Sequence, residues 1–294
     1  VFVLPAFETI DRATLVGAAL VVVYLMTPLD VLLTWIPALG RARVALDRIQ
    51  AVLPDLEARP TDTVRVGPPR AFREELRLEG VTYAYASEDD GFALGPIDLA
   101  IAPGEVVFIA GGNGSGKTTL VKILAGLYPA RTGTIRLDDR PVTADDREAY
   151  RQLVSVVFAD GYLFQSLFGL DRDGLDGAVP DGLARLGLDR VVRLDGNAYS
   201  TVELSMGQRR RLALLTACLE DRPILILDEW AANQDRHFKD VFYRELVPSW
   251  RAAGKAVVII SHDEAFYDQA DRVVVLREGT LAADAWSSHP LTRT

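Results

Sequence analysis

From Ala13 to Leu39 the chain carries a single charge, Asp30. An unbroken helix over that stretch would be about 40 Å long, against about 30 Å of bilayer hydrocarbon. Its uncharged part, Ala13 to Leu29, includes the run Leu20-Val21-Val22-Val23-Tyr24-Leu25-Met26 and is near the minimum spanning length, so Asp30 is expected at or just beyond an interface. Pro28 and Pro37 are expected to bend this helix. β-branched runs also suit a buried hairpin or the core helix of a soluble protein, but few soluble helices lack charge for so long. Between residues 41 and 58, Val44, Leu46, Ile49, Val52, Leu53 and Leu56 recur among charges, the pattern of a helix continuing out of the apolar zone, with Pro54 expected to end its regular part.

Residues 59–70 are polar and rich in proline and glycine, as a linker is. This divides the chain into residues 1–58, with a membrane helix at about 12–39 and its extension, a linker at 59–70, and a folded domain at 71–294. In that domain, alternation at Leu76 to Tyr85 and Ile97 to Ile101 predicts strands, and Val106 to Ala110 reads as a short, wholly buried strand. Helical and strand patterns alternate from there, predicting an α/β fold with a mainly parallel central sheet and antiparallel N-terminal strands.

Composition sharpens the picture in three places. Mean hydropathy is +0.12, and the apolar excess sits near the N-terminus. The net charge of -9 gives no positive field to hold a nucleic-acid backbone, so nucleic acid is not expected as a partner. One cysteine, Cys218, excludes an intramolecular disulfide and reads as a small core side chain among Leu212, Leu215 and Leu219. Arg41, Arg43 and Arg48 follow the apolar run, whereas Glu8, Asp11 and Arg12 precede it, which places the C-terminal side in the cytosol. The opening at Val1, without methionine or a basic leader, reads as a fragment preceded by further membrane helices.

The chemistry is carried by Gly111-Gly112-Asn113-Gly114-Ser115-Gly116-Lys117-Thr118, which matches the phosphate-loop pattern and lies between the strand Val106 to Ala110 and a helical pattern from Thr119 to Ala125. Glycines let successive N–H groups converge on phosphate oxygens at a helix N-terminus. Lys117 would reach the β and γ phosphates and Thr118 would ligate Mg²⁺. Pro223 to Leu227 is an apolar strand ending in Asp228 and Glu229; Asp228 would hold the metal through water and Glu229 would orient the attacking water. His237 and His289 lack metal-ligand spacing and read as surface residues.

Leu204-Ser205-Met206-Gly207-Gln208 precedes an amphipathic stretch from Arg209 to Leu219. Here the chain resembles the ATP-binding-cassette (ABC) transporter family, whose signature is L-S-G-G-Q; Met206 departs at the first glycine. The resemblance implies a P-loop NTPase fold with a compact helical subdomain, ATP and Mg²⁺ as ligands, and pairing with a second copy, in which Ser205, Gly207 and Gln208 face the nucleotide of the other subunit. It also implies Tyr85 as the aromatic that stacks on adenine, with Tyr83 competing, Asp235 as the D-loop acid, and His262 as a histidine contacting the γ-phosphate. The nucleotide-binding set is then Tyr85, Gly111, Asn113, Gly114, Ser115, Gly116, Lys117, Thr118 and Thr119; the catalytic set is Glu229, His262 and Lys117. Most of Arg209-Arg210-Arg211 reads as a solvated charged face.

Asp228-Glu229-Trp230-Ala231-Ala232-Asn233-Gln234-Asp235 is similar to a narrower subgroup, exporters of cyclic and related peptides, with Trp230 expected as a packing residue beside the site. The subgroup implies a homodimer in the inner membrane, with its ATPase on the cytoplasmic side and a cyclic or otherwise modified, siderophore-related peptide as cargo. Where the family carries a glutamine contacting Mg²⁺, this chain has Phe158-Ala159-Asp160-Gly161, and Asp160 is the expected replacement ligand. The stretch Asp171 to Gly177 reads as turns. The alternative reading is a soluble cassette ATPase acting as a mechanical switch on DNA or ribosomes, which shares every nucleotide motif and differs only in the N-terminal region.

Overall fold

The computed structural model describes residues 12–58, 71–85, 92–170 and 172–287. Residues 59–70, Glu8, Asp11, Asp171 and His289 lie outside them, as do the side chains of Leu39, Ile49, Val52, Leu53 and Leu56. Two compact units divide between Thr63 and Val64.

The described residues of the first unit form one helix, α1 (Arg12–Ala58), of 47 residues and about 70 Å. Val16, Leu20, Val22, Leu33 and Ile36 are all exposed along it, so these side chains gain little from packing among the described residues. The expectation that Pro54 ends the helix does not hold: α1 runs on to Ala58. A proline removes a single backbone bond, and the good helix formers around it, Ala51, Leu53, Leu56 and Ala58, carry the ladder past the gap.

The second unit is built on a six-stranded sheet. In chain order its strands are β3 (Val106–Ala110), β6 (Val154–Val157), β9 (Ile224–Asp228), β10 (Ala256–Ile260), β11 (Arg272–Arg277) and β12 (Thr280–Ser287). The spatial order is β12-β11-β3-β10-β9-β6, with every pair parallel except the terminal hairpin β11–β12. A second, antiparallel sheet, β2-β1-β4-β5, is formed by β1 (Leu76–Ala84), β2 (Ala93–Ile101), β4 (Thr132–Leu137) and β5 (Arg140–Pro141).

Both faces of the parallel sheet are covered, which explains why its inner strands β3 and β10 are apolar at every position rather than alternating. Val107, Ile109, Ile226 and Val258 face one core with Leu120 and Ile123 of helix α2 (Lys117–Leu124). Val106, Phe108, Leu227 and Ile259 face the other, packing on helices α4 (Arg172–Arg185) and α5 (Met206–Leu219) and on Trp250. Burying each such side chain is worth about 1.5–3 kcal/mol.

The turn reading of Asp171 to Gly177 is overturned: α4 begins at Arg172. Leu175, Val179, Leu183 and Leu186 recur at three- and four-residue spacing and are all buried, so tertiary packing outweighs the poor helix propensity of Asp and Gly. Cys218 is free and partly buried against this core, as expected.

Register fixes where chemistry can occur. Ile109 of β3 pairs with Ile260 of β10, which pairs with Asp228 of β9. The segments leaving these three strands, at Gly111, Glu229 and Ser261, therefore emerge side by side at the C-terminal edge of a parallel sheet, where open α/β folds bind ligands.

Candidate functional site

The phosphate loop joins β3 to α2. Gly116 caps α2 in the left-handed conformation (φ 102°, ψ 9°), and no side chain caps the helix, leaving its first N–H groups for a ligand. A Cβ on Gly116 would lie 2.8 Å from Phe92 and 2.9 Å from Leu94, so both the torsion and the space demand glycine. Lys117 is 6 % exposed and donates to the carbonyls of Gly111 (2.8 Å) and Gly112 (2.9 Å), which holds its ammonium inside the loop. Ser115 is buried with an unpartnered hydroxyl. Thr118 is exposed.

Across the edge, the Glu229 carboxylate lies 4.0 Å from the Lys117 ammonium and 3.5 Å from Nε2 of His262, which is half exposed. Glu229 adopts a left-handed backbone (φ 49°, ψ 33°), a conformation that costs a non-glycine residue about 1–3 kcal/mol. Asp228 is buried, and neither carboxylate oxygen has a hydrogen bond of normal geometry. Burial first, then the neighbouring Glu229 charge, pushes Asp228 up to about 6, with Thr118 and Lys117 pulling the other way and Asp160 adding to the rise. Unpaired buried oxygens of this kind mark a place built for a ligand. Among the described residues no three His, Cys, Asp or Glu side chains converge to hold a metal by themselves. One carboxylate beside a threonine hydroxyl instead suits a hard, oxygen-seeking divalent cation that takes its remaining ligands from water and phosphate. Asp160 is exposed and close enough to act on Asp228 electrostatically.

His262 is held by its neighbours. The Ser261 hydroxyl accepts from the Asp263 amide (3.0 Å) and shares a hydrogen bond with the Tyr243 hydroxyl (2.7 Å), while Asp263 pairs with Lys239 at 2.7 Å.

At the other end of the loop, Tyr85 shares a hydrogen bond with the Thr119 hydroxyl (3.0 Å) and keeps an exposed ring. Tyr83 is stacked on Tyr128 at 4.9 Å, so one of its faces is taken.

The signature residues open α5. The Ser205 hydroxyl accepts from the Gln208 amide (3.4 Å), and the Gln208 side chain accepts from the Ser205 amide (3.1 Å), a reciprocal cap. Asn113, Gly114 and Met206 are exposed. The Asp235 carboxylate caps helix α6 (Arg236–Val241) by accepting from the Phe238 amide at 3.0 Å. His237 lies on the surface.

Two expectations about α5 need correction or extension. Arg211 is not a solvated residue: it is buried, donates to the Leu186 carbonyl (2.7 Å), and lies 3.7 Å above the Phe238 ring. Arg210 is anchored too, donating to the carbonyls of Glu229 (2.6 Å) and Ala159 (3.1 Å). A planar guanidinium can be buried against rings and carbonyls where a lysine ammonium cannot, and a charge count does not reveal this. Trp230 is buried and stacked on Phe242, and its indole N–H donates to the Arg210 carbonyl (2.7 Å). The sequence also gave no warning of an apolar cleft of about 480 Å³ between Val154, Phe158, Leu163 and Ala213, with Tyr162, Phe164 and Phe168 exposed beside it.

Residues 94–232 match the model of the ABC transporter family. Over 96 % of its length the chain is 42 % identical to the ATP-binding protein SyrD of Pseudomonas syringae pv. syringae, covering 52 % of that protein. Over 92 % it is 33 % identical to the mycobactin import ATP-binding/permease protein IrtB of Mycolicibacterium thermoresistibile, covering 47 %. The chain thus spans about half the length of these curated relatives. Among solved structures, cbiO1 of Clostridium perfringens, part of the ABC transporter complex cbiONQ, aligns with a TM-score of 0.59 at 28 % identity over 72 % of this chain and 88 % of that one. A bacterial Atm1-family ABC exporter with ATP bound shares the fold with a TM-score of 0.61 at 22 % identity, over 75 % of this chain and 40 % of that one. Through the ATP-binding domain that carries this site, the chain belongs to the ABC transporter family.

Proposed function

We propose that the chain is the ATP-hydrolysing half of an ABC exporter that moves a cyclic or otherwise modified peptide across the inner membrane, its ATPase domain on the cytoplasmic side. The observation that carries the reading is the convergence of Lys117 (4.0 Å) and His262 (3.5 Å) on the Glu229 carboxylate at the edge where β3, β9 and β10 end. In this reading Tyr85 stacks on adenine, because its ring is exposed while Tyr83 is engaged with Tyr128. Amides of Gly114, Ser115, Gly116, Lys117, Thr118 and Thr119 take the phosphates, aided by Asn113 and Gly111. Lys117 neutralises the β and γ phosphates, Glu229 orients and polarises water for in-line attack, and His262 contacts the γ-phosphate from the Glu229 side.

Magnesium, when bound, neutralises charge between the β and γ phosphates; Thr118, Asp228 and Asp160 are the residues that would hold it. A second copy supplies Ser205, Gly207 and Gln208 at the N-terminus of α5, so each chain carries two half-sites; Asp235 lies next to that contact. Closure of the pair on two ATP would pull the membrane portion toward an outward-facing state, and hydrolysis would reset it.

The long uncharged stretch of α1 favours a membrane protein over a soluble switch on DNA or ribosomes, and the absence of a positive field points the same way. Relatives are named for both efflux and import, so the export direction and the peptide cargo rest on the run from Asp228 to Asp235. Equilibrium binding of a fluorescent ATP analogue with magnesium tests the core of the reading. Lys117→Ala should weaken it by at least tenfold; unchanged affinity would remove the phosphate loop from the account.

A further inference from the structure

The strained backbone of Glu229 needs something to hold it, and the structure places that support on the signature helix. At φ 49° and ψ 33° the residue would relax if its peptide groups were free. They are fixed on both sides. Its N–H donates to the Ile260 carbonyl at 3.1 Å, and its carbonyl accepts from Arg210 at 2.6 Å. The second arm of the same guanidinium donates to the Ala159 carbonyl, one residue before Asp160, at 3.1 Å. The Arg210 carbonyl in turn accepts from the indole of Trp230, the residue after Glu229, whose ring is buried against Phe242. Four residues further on, the buried Gln234 side chain donates to the Gly207 carbonyl at 3.1 Å. The start of α5 and the segment 229–234 are therefore joined by side-chain hydrogen bonds running in both directions.

We propose that Arg210 is a positioning residue for hydrolysis: its two-armed grip holds the Glu229 peptide in the left-handed conformation that aims the carboxylate at Lys117 and His262. A planar fork reaches two carbonyls at once at the ends of the adjacent strands β6 and β9, and charge makes each bond stronger than a neutral one. A lysine offers one compact charge and cannot span both. Because the grip originates on α5, which presents Ser205 and Gly207, a shift of the signature segment shifts the Glu229 carboxylate with it. The inference rests on the assignment of Glu229 above.

The test uses the full-length transporter in lipid vesicles, with steady-state ATP hydrolysis and ATP affinity measured on wild type, Arg210→Met, Arg210→Lys and Glu229→Gln. Arg210→Met should lower kcat by about 10–100-fold while ATP affinity stays within threefold, and Arg210→Lys should show the same split with a smaller fall. Unchanged kcat in both variants, or affinity lost in step with kcat, would overturn the proposal. If the methionine variant does not accumulate as folded protein, the lysine variant decides by the same criteria. Glu229→Gln separates the two levels of the argument. If it hydrolyses ATP normally the assignment of Glu229 has failed, whereas an inactive Glu229→Gln beside a normal Arg210→Met removes only the role of Arg210.

Discussion

At the scale of single residues, the site trades stability for readiness. Asp228 is held at about 6, above its ordinary 3.8, by burial and by Glu229. A carboxyl whose folded value is raised binds more protons folded than unfolded between those two values. It therefore favours the fold below about pH 4 and works against it increasingly up to pH 6, with the full penalty above. Two units correspond to about 3 kcal/mol, an upper figure. Asp228→Asn should accordingly raise the melting temperature of the ligand-free protein at pH 8 by about 2–8 °C. The gain should vanish below about pH 4; a variant less stable than wild type at pH 8 would contradict this reading of the carboxylate. Cys218 behaves oppositely. Burial raises its thiol to about 12, against opposing contributions from Lys255 and Arg185, so native protein at pH 8 should resist alkylation that goes to completion in denaturant. Rapid labelling of native protein would show the helix α5 surface to be open.

At the scale of elements, the capping box at the start of α5 closes the helix in its own chain, and the proposed pairing gives Ser205 a second task, facing a nucleotide in the other chain. Ser205→Ala should lose about 1 kcal/mol of stability through the cap. Ser205→Asp keeps a capping oxygen and so should retain stability while losing ATP turnover, because it brings negative charge to the γ-phosphate. Equal turnover in wild type and Ser205→Asp would confine Ser205 to its structural task.

The same elements show what was legible in the sequence. β3 spans Val106 to Ala110 as read, because a five-residue apolar run bounded by Pro103-Gly104 and Gly111-Gly112 has few other options. The phosphate loop, Asp228, Glu229 and His262 were readable because each sits at the end of an apolar strand, and the parallel register brings those ends together. The start of α4 was not readable: Asp173, Gly174, Asp176 and Gly177 look like turns until Leu175 and Val179 are seen buried against α5. The anchoring of Arg210 and Arg211 is hidden in the sequence for a related reason. Three consecutive arginines look solvated in one dimension, and only the packing of α5 shows which of them meet carbonyls and a ring.

At the scale of the whole molecule, the proposed sharing of half-sites between two chains makes a prediction about mixed dimers. Pairing a Lys117→Ala chain with a Ser205→Asp chain leaves one complete site, since the intact loop of the second meets the intact signature of the first. Putting both substitutions in one chain and pairing it with wild type leaves none. The first mixture should retain measurable turnover and the second almost none; the reverse, turnover only in the second, would mean that each chain completes its own site.

The central claim is that water aligned on Glu229 cleaves a triphosphate gripped around Lys117. Single-turnover hydrolysis of ATP by Glu229→Gln, measured on the full-length protein with magnesium alongside ATP affinity, tests it directly. The account expects affinity close to that of wild type, hydrolysis slower by at least a hundredfold, and a stable ATP-bound pair of chains. Hydrolysis at the wild-type rate would contradict it.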